Sequence, residues 1–201
     1  MKDDLTVPPW QTTDSRLVYT HPRLRLFEDQ VIRRDGRRAE RHRLTESDST
    51  RVVAVDVDGS LALIWRWRYA LGYPVMELPS AQVEAEEEPL RAAQRALRDD
   101  CGLAAQLWVK IGQVTGTTDV AAQTTHLYRT KGLHRVPQPA GDGERLAFGM
   151  PYGIAVASAV AGAIDDAVSA AALLRAEQHR LSGAWALPEA GRSGPPRLFS
   201  V

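Results

Sequence analysis

The chain is nearly free of cysteine. Its 201 residues include one, Cys101, so the sequence excludes an internal disulfide and a zinc site built from cysteines. No histidine lies near Cys101 in the sequence, which disfavours a nucleophilic role, and the residue is expected to be a small side chain at a helix end. A reduced, cytoplasmic setting fits this composition.

The chain also lacks net charge and long apolar runs. Lys plus Arg and Asp plus Glu both number 25, and 44% of residues are hydrophobic, which argues against disorder and against a strongly basic nucleic-acid-binding protein. The longest weakly polar run, Met150 to Ile164, is short for a bilayer and rich in Ala and Gly. The N-terminus lacks a signal-peptide pattern. We therefore expect neither nucleic acid nor a membrane as a partner.

The first quarter of the chain predicts strands joined by turns. A polar lead-in over residues 1–15 precedes a hairpin whose turn is Arg34–Arg37. Arginines cluster around this turn, and alternation on a half-exposed hairpin explains them better than nucleic acid does, since Asp35 and Glu40 interrupt the patch. A role in binding phosphate stays open for one or two of them. A second pair of strands, within 51–64, flanks the hairpin signal Asp58-Gly59.

Bulky aromatics alternate with arginines directly after this second pair, at Trp65-Arg66-Trp67-Arg68-Tyr69. One interpretation is a strand with aromatics on one face and solvated arginines on the other. The other is an arginine and an aromatic ring that face a nucleotide, because a guanidinium pairs with phosphate and a ring stacks on a base. The pattern alone does not choose between them.

The segment 77–103, ELPSAQVEAEEEPLRAAQRALRDDCGL, predicts a helix. Pro89 suits a first helical position, and Gly102 can end the helix in a left-handed conformation. Leu90, Ala93 and Leu97 recur at helical spacing and are expected to form one buried stripe.

The remaining segments predict an alternation of strands and helices. Strands are expected at Gln106–Ile111, Thr124–Arg129 and Leu146–Pro151, loops at Gly112–Asp119 and Val136–Glu144, and an Ala-rich helix through Arg180 with a break at 162–166. The residues from Ser182 look like a flexible tail. This order predicts an α/β or α+β sandwich.

Two acids lie in the last turn of the predicted helix, where the helix dipole favours cations. Asp99 and Asp100 would share a face with position 96 and offer carboxylate oxygens, which Mg²⁺ prefers. A divalent ion there could support hydrolysis of a phosphoanhydride. The alternative is a solvated acidic face.

The segment resembles the Nudix box, G-x5-E-x7-R-E-U-x-E-E-x-G-U, in which U is apolar. The residues that match it are Glu87, Arg95, Leu97, Gly102 and Leu103. The preceding Glu77-Leu78-Pro79, the Arg68-Tyr69 step and a late G-x-I-D-x-A segment are similar to the ADP-ribose pyrophosphatase subgroup. The resemblance implies a Nudix α/β/α sandwich, with a mixed sheet between helices and a small N-terminal antiparallel β element. The implied organisation is a lead-in over 1–15, the β-hairpin element over 16–48, the Nudix domain over 49–181 and a tail over 182–201.

The departures from the pattern concern the metal site. Ala81 stands for the box glycine, Ala96 for the glutamate that is a principal metal ligand, and Asp99 and Asp100 for the paired glutamates. The donors that the resemblance leaves for Mg²⁺ or Mn²⁺ are Asp100, Asp99 and the Ser80 carbonyl. An Asp carboxylate ends about 1.5 Å short of a Glu carboxylate, so metal binding is expected to be weakened. If the glycine serves a positive φ, Ala81 should strain or remodel its turn.

The resemblance also implies roles for other residues. Glu87 pairs with Arg95 at the junction of loop and helix, which Gly102 ends. In the subgroup the position of Arg68 contacts the substrate's phosphates; the alternating pattern, not the resemblance, adds Trp67 as a candidate aromatic contact for the substrate. The late loop often supplies a general base, for which Asp142 and Glu144 are available, and Glu144 is our choice over Asp142. Asp99 is the other candidate catalytic residue.

Three functions are compatible with these residues. The first is a Nudix hydrolase of a nucleoside diphosphate-linked substrate, of the ADP-ribose or sugar-nucleotide class, with weak or altered activity. The second is a non-hydrolytic Nudix-fold module that binds a nucleotide or a partner. The third is a repurposed biosynthetic enzyme. The resemblance further implies a homodimer formed through the arginine-rich hairpin.

Overall fold

A computed structural model of the protein describes residues 8–117, 119–140 and 143–185. The described residues form two compact units, which fall within Met1–Ser47 with Thr115–Gln123 and within Asp48–Val114 with Thr124–Val201. The strands are β1 (Trp10–His21), β2 (Leu24–Arg33), β3 (Arg38–Glu46), β4 (Ser49–Ala54), β5 (Ser60–Arg68), β6 (Tyr73–Glu77), β7 (Ser80–Gln82), β8 (Leu103–Thr117), β9 (Ala121–Arg135) and β10 (Arg145–Pro151). The helices are α1 (Pro89–Cys101), α2 (Tyr152–Val160) and α3 (Ala167–Leu181).

The first unit is built on an antiparallel ribbon of β1, β2 and β3. The predicted turn joins β2 to β3, with the Gly36 N–H donating to the Arg33 carbonyl and Gly36 at φ +82°. The lead-in prediction for residues 1–15 is wrong from Trp10 onward, where β1 begins. Most side chains of β1 are exposed, so the strand carries no apolar alternation by which it could be recognised.

Several arginines of the ribbon are held by contacts within it. The Arg33 and Arg41 guanidiniums lie 4.9 and 4.3 Å from the Trp10 ring centroid, and Arg43 lies 2.9 Å from the Asp29 carboxylate. These contacts are those of an arginine-rich ribbon that is stabilised across its own strands.

The second unit has two sheets. In one sheet, β4 lies between β7, to which it is antiparallel, and β9, to which it is parallel. Strand β8 pairs with β9 in the same sheet. In the other, β5 lies between β6 and β10. Two apolar cores form because β4 and β5 alternate: Val53 and Leu63 pack with residues of α2 and α3, whereas Val52 and Ile64 pack with residues of α1. The predicted α/β sandwich with a mixed sheet is confirmed.

The predicted hairpin within residues 51–64 is wrong. Its turn exists, with the Gly59 N–H donating to the Asp56 carbonyl, but beyond one bridge between Val55 and Leu61 the strands separate into different sheets. Strand β4 is buried along its whole length, and β5 is buried over Leu61–Ile64. A strand that is apolar on both faces is typical of a sheet interior, where it has two neighbours.

The predicted helix and its end are confirmed. Helix α1 starts at Pro89 and ends at Gly102, which has φ +62° and donates its N–H to the Arg98 carbonyl. The predicted stripe is only partly right, because Ala93 and Leu97 are fully buried whereas Leu90 is 36% exposed. The buried face is Ala92, Ala93, Ala96, Leu97, Asp100 and Cys101.

The other segments agree with the prediction in part. The Ala-rich region forms α2 and α3 with the break where it was expected, whereas the predicted loop after Ile111 continues β8 to Thr117. The predicted tail lies outside the described residues from 186 onward. In the described ranges, no helix is long and apolar enough to cross a membrane.

Candidate functional site

Asp100 occupies the centre of the candidate site, at the end of α1. Its side chain is 1% exposed. Both carboxylate oxygens accept hydrogen bonds from Nη2 of Arg66, at 2.7 Å, and one accepts from Nη1 of Arg145, also at 2.7 Å. The backbone N–H of Ser80 donates to the same carboxylate at 2.9 Å. Strands β5, β10 and β7 thus converge on one buried negative charge, which two guanidiniums neutralise.

Of the three residues predicted to bind the metal, Asp100 and Ser80 are in contact, whereas Asp99 is engaged by another side chain. Asp99 turns away from Asp100 and pairs with Arg98 at 2.7 Å. Ser80 meets Asp100 through its N–H, and its Oγ accepts from Nη1 of Arg66 at 2.8 Å. Ala96 is buried and has no side-chain donor.

This donor set does not fit Mg²⁺ or Mn²⁺. The Asp100 oxygens that a divalent ion would need are already bonded to guanidiniums, and Arg66 and Arg145 place positive charge beside them. A cation at this carboxylate would meet like charge in a poorly solvated position. We therefore assign no metal-dependent step to this group of residues.

A second set of ion pairs adjoins the first. Arg68 donates through Nε and Nη2 to the two oxygens of Glu77, whose side chain is 1% exposed. Arg51 lies 4.0 Å from Glu77 and 3.4 Å from Asp166. The hydrogen bond to Glu77 raises the pKa of Arg68. Burial alone would raise the pKa of Asp166. The charge of Arg51 and the hydrogen bonds from Ser169 and Arg51 have the larger effect, so the pKa of Asp166 is lowered.

The segment Trp65 to Arg68 alternates as predicted, but the side chains that point inward are the arginines, not the aromatics. Arg66 and Arg68 point inward, to Asp100 and Glu77, whereas Trp65 and Trp67 are 38% and 50% exposed. Successive residues of a strand point to opposite faces. Trp67 is therefore not beside Arg68, and the predicted pair of arginine and aromatic ring is not assembled.

Glu144, the predicted general base, lies just before β10. Its side chain is exposed, and its carbonyl accepts from the Trp67 N–H at 2.8 Å. The structure thus places Glu144 next to Trp67 through the backbone, while the neighbouring Arg145 reaches Asp100. Asp142 lies outside the described residues.

Glu87 and Arg95 form the contact that the resemblance implies. Nη2 and Nε of Arg95 lie 2.7 and 3.2 Å from the Glu87 carboxylate, and Nη2 also donates to the Gln82 carbonyl at 2.8 Å. Glu87 in turn accepts from the Glu84 N–H at 3.0 Å. The pair fastens the loop that precedes α1 to the helix itself.

We expect Glu87→Gln to lower the free energy of unfolding by about 1 kcal/mol at neutral pH, since a charged hydrogen bond of a partly exposed pair is lost. The hydrogen bond from Arg95 lowers the pKa of Glu87. A lowered pKa contributes stability that is fully present above the unfolded value of about 4.3, and that is lost as the pH falls through the folded pKa. Urea denaturation as a function of pH measures this.

The matched control for that experiment is Glu88→Gln. Glu88 is exposed and its side chain makes no capping bond to α1, so the change should cost less at neutral pH. Equal losses of unfolding free energy in the two variants would contradict a stabilising ion pair between Glu87 and Arg95. A loss in Glu87→Gln that persists in strong acid would contradict it as well.

Comparisons with known proteins support the resemblance. No family model matches the chain. It is 25% identical over 183 residues to an ADP-ribose pyrophosphatase of Mycobacterium tuberculosis, which covers 89% of this chain and 87% of that protein. It is 21% identical over 131 residues to a methanol dehydrogenase activator of Bacillus methanolicus, which covers 65% of this chain and 71% of that protein.

Solved structures give the fold. The crystal structure of an ADP compounds hydrolase superposes with a TM-score of 0.75 at 12% identity, covering 90% of this chain and 98% of the other. The chain has a Nudix fold of the ADP-ribose pyrophosphatase type. The prediction made from the box and its flanking segments is confirmed at the level of the fold.

Within this Nudix fold, the glycine position of the box shows no strain. Ala81 lies in β7, where it pairs with Thr50 of β4. Among the described residues other than glycine, only Glu86 has a positive φ, of 63°. Of the two expected effects, strain or a remodelled turn, strain is absent at Ala81, because a β-strand conformation suits alanine.

The Nudix-fold site contains two residues that the sequence analysis missed, Arg66 and Arg145. Strand alternation could have indicated Arg66, which shares its face with Arg68 two residues on. No local signal indicates Arg145, because its position depends on the pairing of β10 with β5. Cys101 is buried among these groups, and burial raises the pKa of its thiol, which agrees with the inert role that was expected.

Proposed function

We propose that the protein is a Nudix-type hydrolase of a nucleoside diphosphate-linked substrate, of the ADP-ribose or sugar-nucleotide class, with weak or altered activity. The fold and the names of the relatives support the substrate class. Nudix hydrolases generally use divalent metals such as Mg²⁺. We infer that activity is weak or altered in this protein from one observation about the residues that would bind such a metal. The carboxylate of Asp100 is bonded to Arg66 and Arg145, and Ala96 supplies no ligand beside it.

Arg68 is the residue that we propose as the contact for the substrate's phosphates. Its Nε and Nη2 are bonded to Glu77, which fixes the plane of the guanidinium and leaves Nη1 without a partner in the described part of the chain. Its side chain is 37% exposed. A guanidinium held in this way can donate to a phosphate oxygen with little loss of conformational freedom. Trp67 and Glu144 can contact the substrate only from the face of β5 opposite to Arg68.

The second candidate function is non-hydrolytic binding of a nucleotide or of a partner. The observation that favours it is the same neutralised carboxylate, because a site that excludes divalent ions has lost the usual source of an activated water. The relative described as a methanol dehydrogenase activator is compatible with a partner-binding role.

One experiment separates these functions. Purified protein is incubated with ADP-ribose, sugar nucleotides and dinucleotides, with Mg²⁺, with Mn²⁺ and with EDTA, and products are measured against a buffer control. Turnover above the control supports the hydrolase. Ligand-induced stabilisation in EDTA without any turnover supports the binding module, and the absence of both removes the proposal.

Restoring the missing glutamate gives a prediction. We expect Ala96→Glu to produce no metal-dependent gain in rate, because Arg66 and Arg145 still hold the Asp100 oxygens and would pair with the new carboxylate as well. The same panel with and without Mg²⁺ measures this, and Leu90→Glu, at an exposed position of α1, is the control. A large metal-dependent gain in the rate of Ala96→Glu would mean that a metal ion displaces Arg66 and Arg145 from the Asp100 carboxylate.

We also propose a cytoplasmic homodimer. The single buried cysteine supports the location, and the resemblance supports assembly through the hairpin element of residues 16–48. Sedimentation of the intact chain tests the dimer, which a monomer mass at micromolar concentration would exclude.

A further inference from the structure

A cavity of about 400 Å³ lies against the outer side of α1. Arg91, Gln94, Arg95 and Arg98 line it from the helix, and Trp108 lines it from β8. A volume of this size is within the range of small-molecule sites. None of the predicted metal or substrate-binding residues lines it.

Helix geometry separates this cavity from Asp100. Residues 91, 94, 95 and 98 follow the spacing of a single helix face. Nine residues at about 100° each bring Asp100 to the side opposite Arg91. Asp100 is buried between α1 and the strands, whereas Arg91 and Arg98 are exposed. The two groups therefore belong to two sites on the two sides of one helix.

The cavity carries excess positive charge. Three guanidiniums and one carboxylate, Glu87, line it; Arg95 holds Glu87 and also lies 3.5 Å from Glu84, which is outside the lining. Arg98 pairs with Asp99, and its side chain is 49% exposed. Within the described residues, no carboxylate lies within 4.0 Å of the Arg91 guanidinium, whose charge nevertheless helps to lower the pKa of Glu87. Like charges at these spacings destabilise a helix, and an anion between them would relieve the repulsion.

Trp108 gives the cavity a fixed aromatic wall. Its indole N–H donates to the Ala105 carbonyl at 3.2 Å, and its ring meets the Tyr128 ring edge-on with centroids 6.4 Å apart. The ring packs partly against the core beneath α1, and Trp108 also lines the cavity, where a flat ligand could stack on it. A ligand that fills the cavity thus combines a flat ring with negative charge.

We propose that this cavity binds a nucleoside diphosphate, with the base on Trp108 and the phosphates along Arg91, Arg95 and Arg98. Arg91 and Arg98 are two turns apart, about 10 Å along the axis, which suits an extended diphosphate better than a single phosphate. Gln94 lies between them and can donate to or accept from the ligand. The site is independent of the proposed hydrolysis.

The test follows the indole N–H signal of Trp108 by NMR while ADP is added to the full chain. The chain has five tryptophans, and the spectrum of Trp108→Phe assigns the signal. We expect saturable movement of this signal, and a dissociation constant that rises about tenfold or more in Arg91→Gln and in Arg98→Gln, since each loses a charged contact. Arg68→Gln, on the other side of α1, and Arg37→Gln, in the hairpin turn, should leave it unchanged.

Several results would overturn the proposal. The first is a Trp108 signal that does not move at millimolar ADP. The second is an affinity for ADP in Arg91→Gln and Arg98→Gln that equals that of the parent. The third is a loss of ADP affinity in Arg68→Gln as large as that in Arg91→Gln. Inorganic phosphate that moves the signal as far as ADP, with equal affinity, would show that the base contributes nothing. Thermal unfolding of each variant establishes that it is folded. Hydrolysis by the protein is not required, so failure here and failure of the proposed function are distinguishable.

Discussion

Asp100→Asn is expected to lower the free energy of unfolding by about 3–5 kcal/mol, because removing one partner from a buried ion pair leaves the other charge uncompensated. Here two guanidiniums, Arg66 and Arg145, would lose their shared carboxylate at the end of α1. The Ser80 N–H would lose its acceptor as well. The measurement is urea denaturation of the parent and the variant at neutral pH.

Asp99→Asn is the matched control, one residue away in the same turn. Its carboxylate pairs with Arg98, whose side chain is half exposed, and exposed pairs contribute about 0–1 kcal/mol. We expect the two variants to differ by several-fold in the stability that they lose. A metal site built from both acids predicts the opposite result: similar losses of activity in the two variants, and stabilisation of the parent by Mg²⁺ through Asp100. Either finding would refute the arginine-neutralised site.

Leu97→Ala is expected to cost about 2–5 kcal/mol, since it removes a fully buried side chain and leaves a cavity. Leu97 belongs to the same buried core cluster as Val52, Ile64 and Tyr128, beneath α1. Chemical denaturation of the variant, with an unchanged dependence on denaturant concentration, measures the loss.

Leu90→Ala serves as the control, because it makes the same substitution in the same helix. Leu90 is 36% exposed, so the change should cost less than about 1 kcal/mol. Equal losses in the two variants would restore the stripe that the sequence predicted and would contradict the orientation of α1 described above.

Local signals were sufficient to predict α1. A proline that needs no N–H at the first position, a glycine that takes a left-handed conformation and a helical repeat between them are all properties of a short segment. The same holds for the turn at Arg34–Arg37. The ion pair of Glu87 with Arg95, eight residues apart, was implied by the family pattern. The family pattern added the fold, because it summarises positions across most of the chain.

The surroundings of Asp100 were not predictable in this way. Its partners come from β5, β7 and β10, so their approach depends on three strand pairings and on the placement of α1. The sequence suggested a metal ligand because an acid at a helix end needs a nearby cation. The cation is a pair of arginines that lie 34 and 45 residues away.

The turn at Asp56–Gly59 has a consequence for synthesis of the chain. Strand β4 does not pair with its neighbour across that turn, and its parallel partner is β9, with Ser49 opposite Thr125, 76 residues later. At about 5–20 residues per second, the ribosome needs roughly 4–15 s to produce that partner. During this interval, one edge of a strand that is fully buried in the folded protein lacks its native neighbour, and such edges promote aggregation. The nascent chain is thus most in need of a chaperone between the appearance of β4 and that of β9.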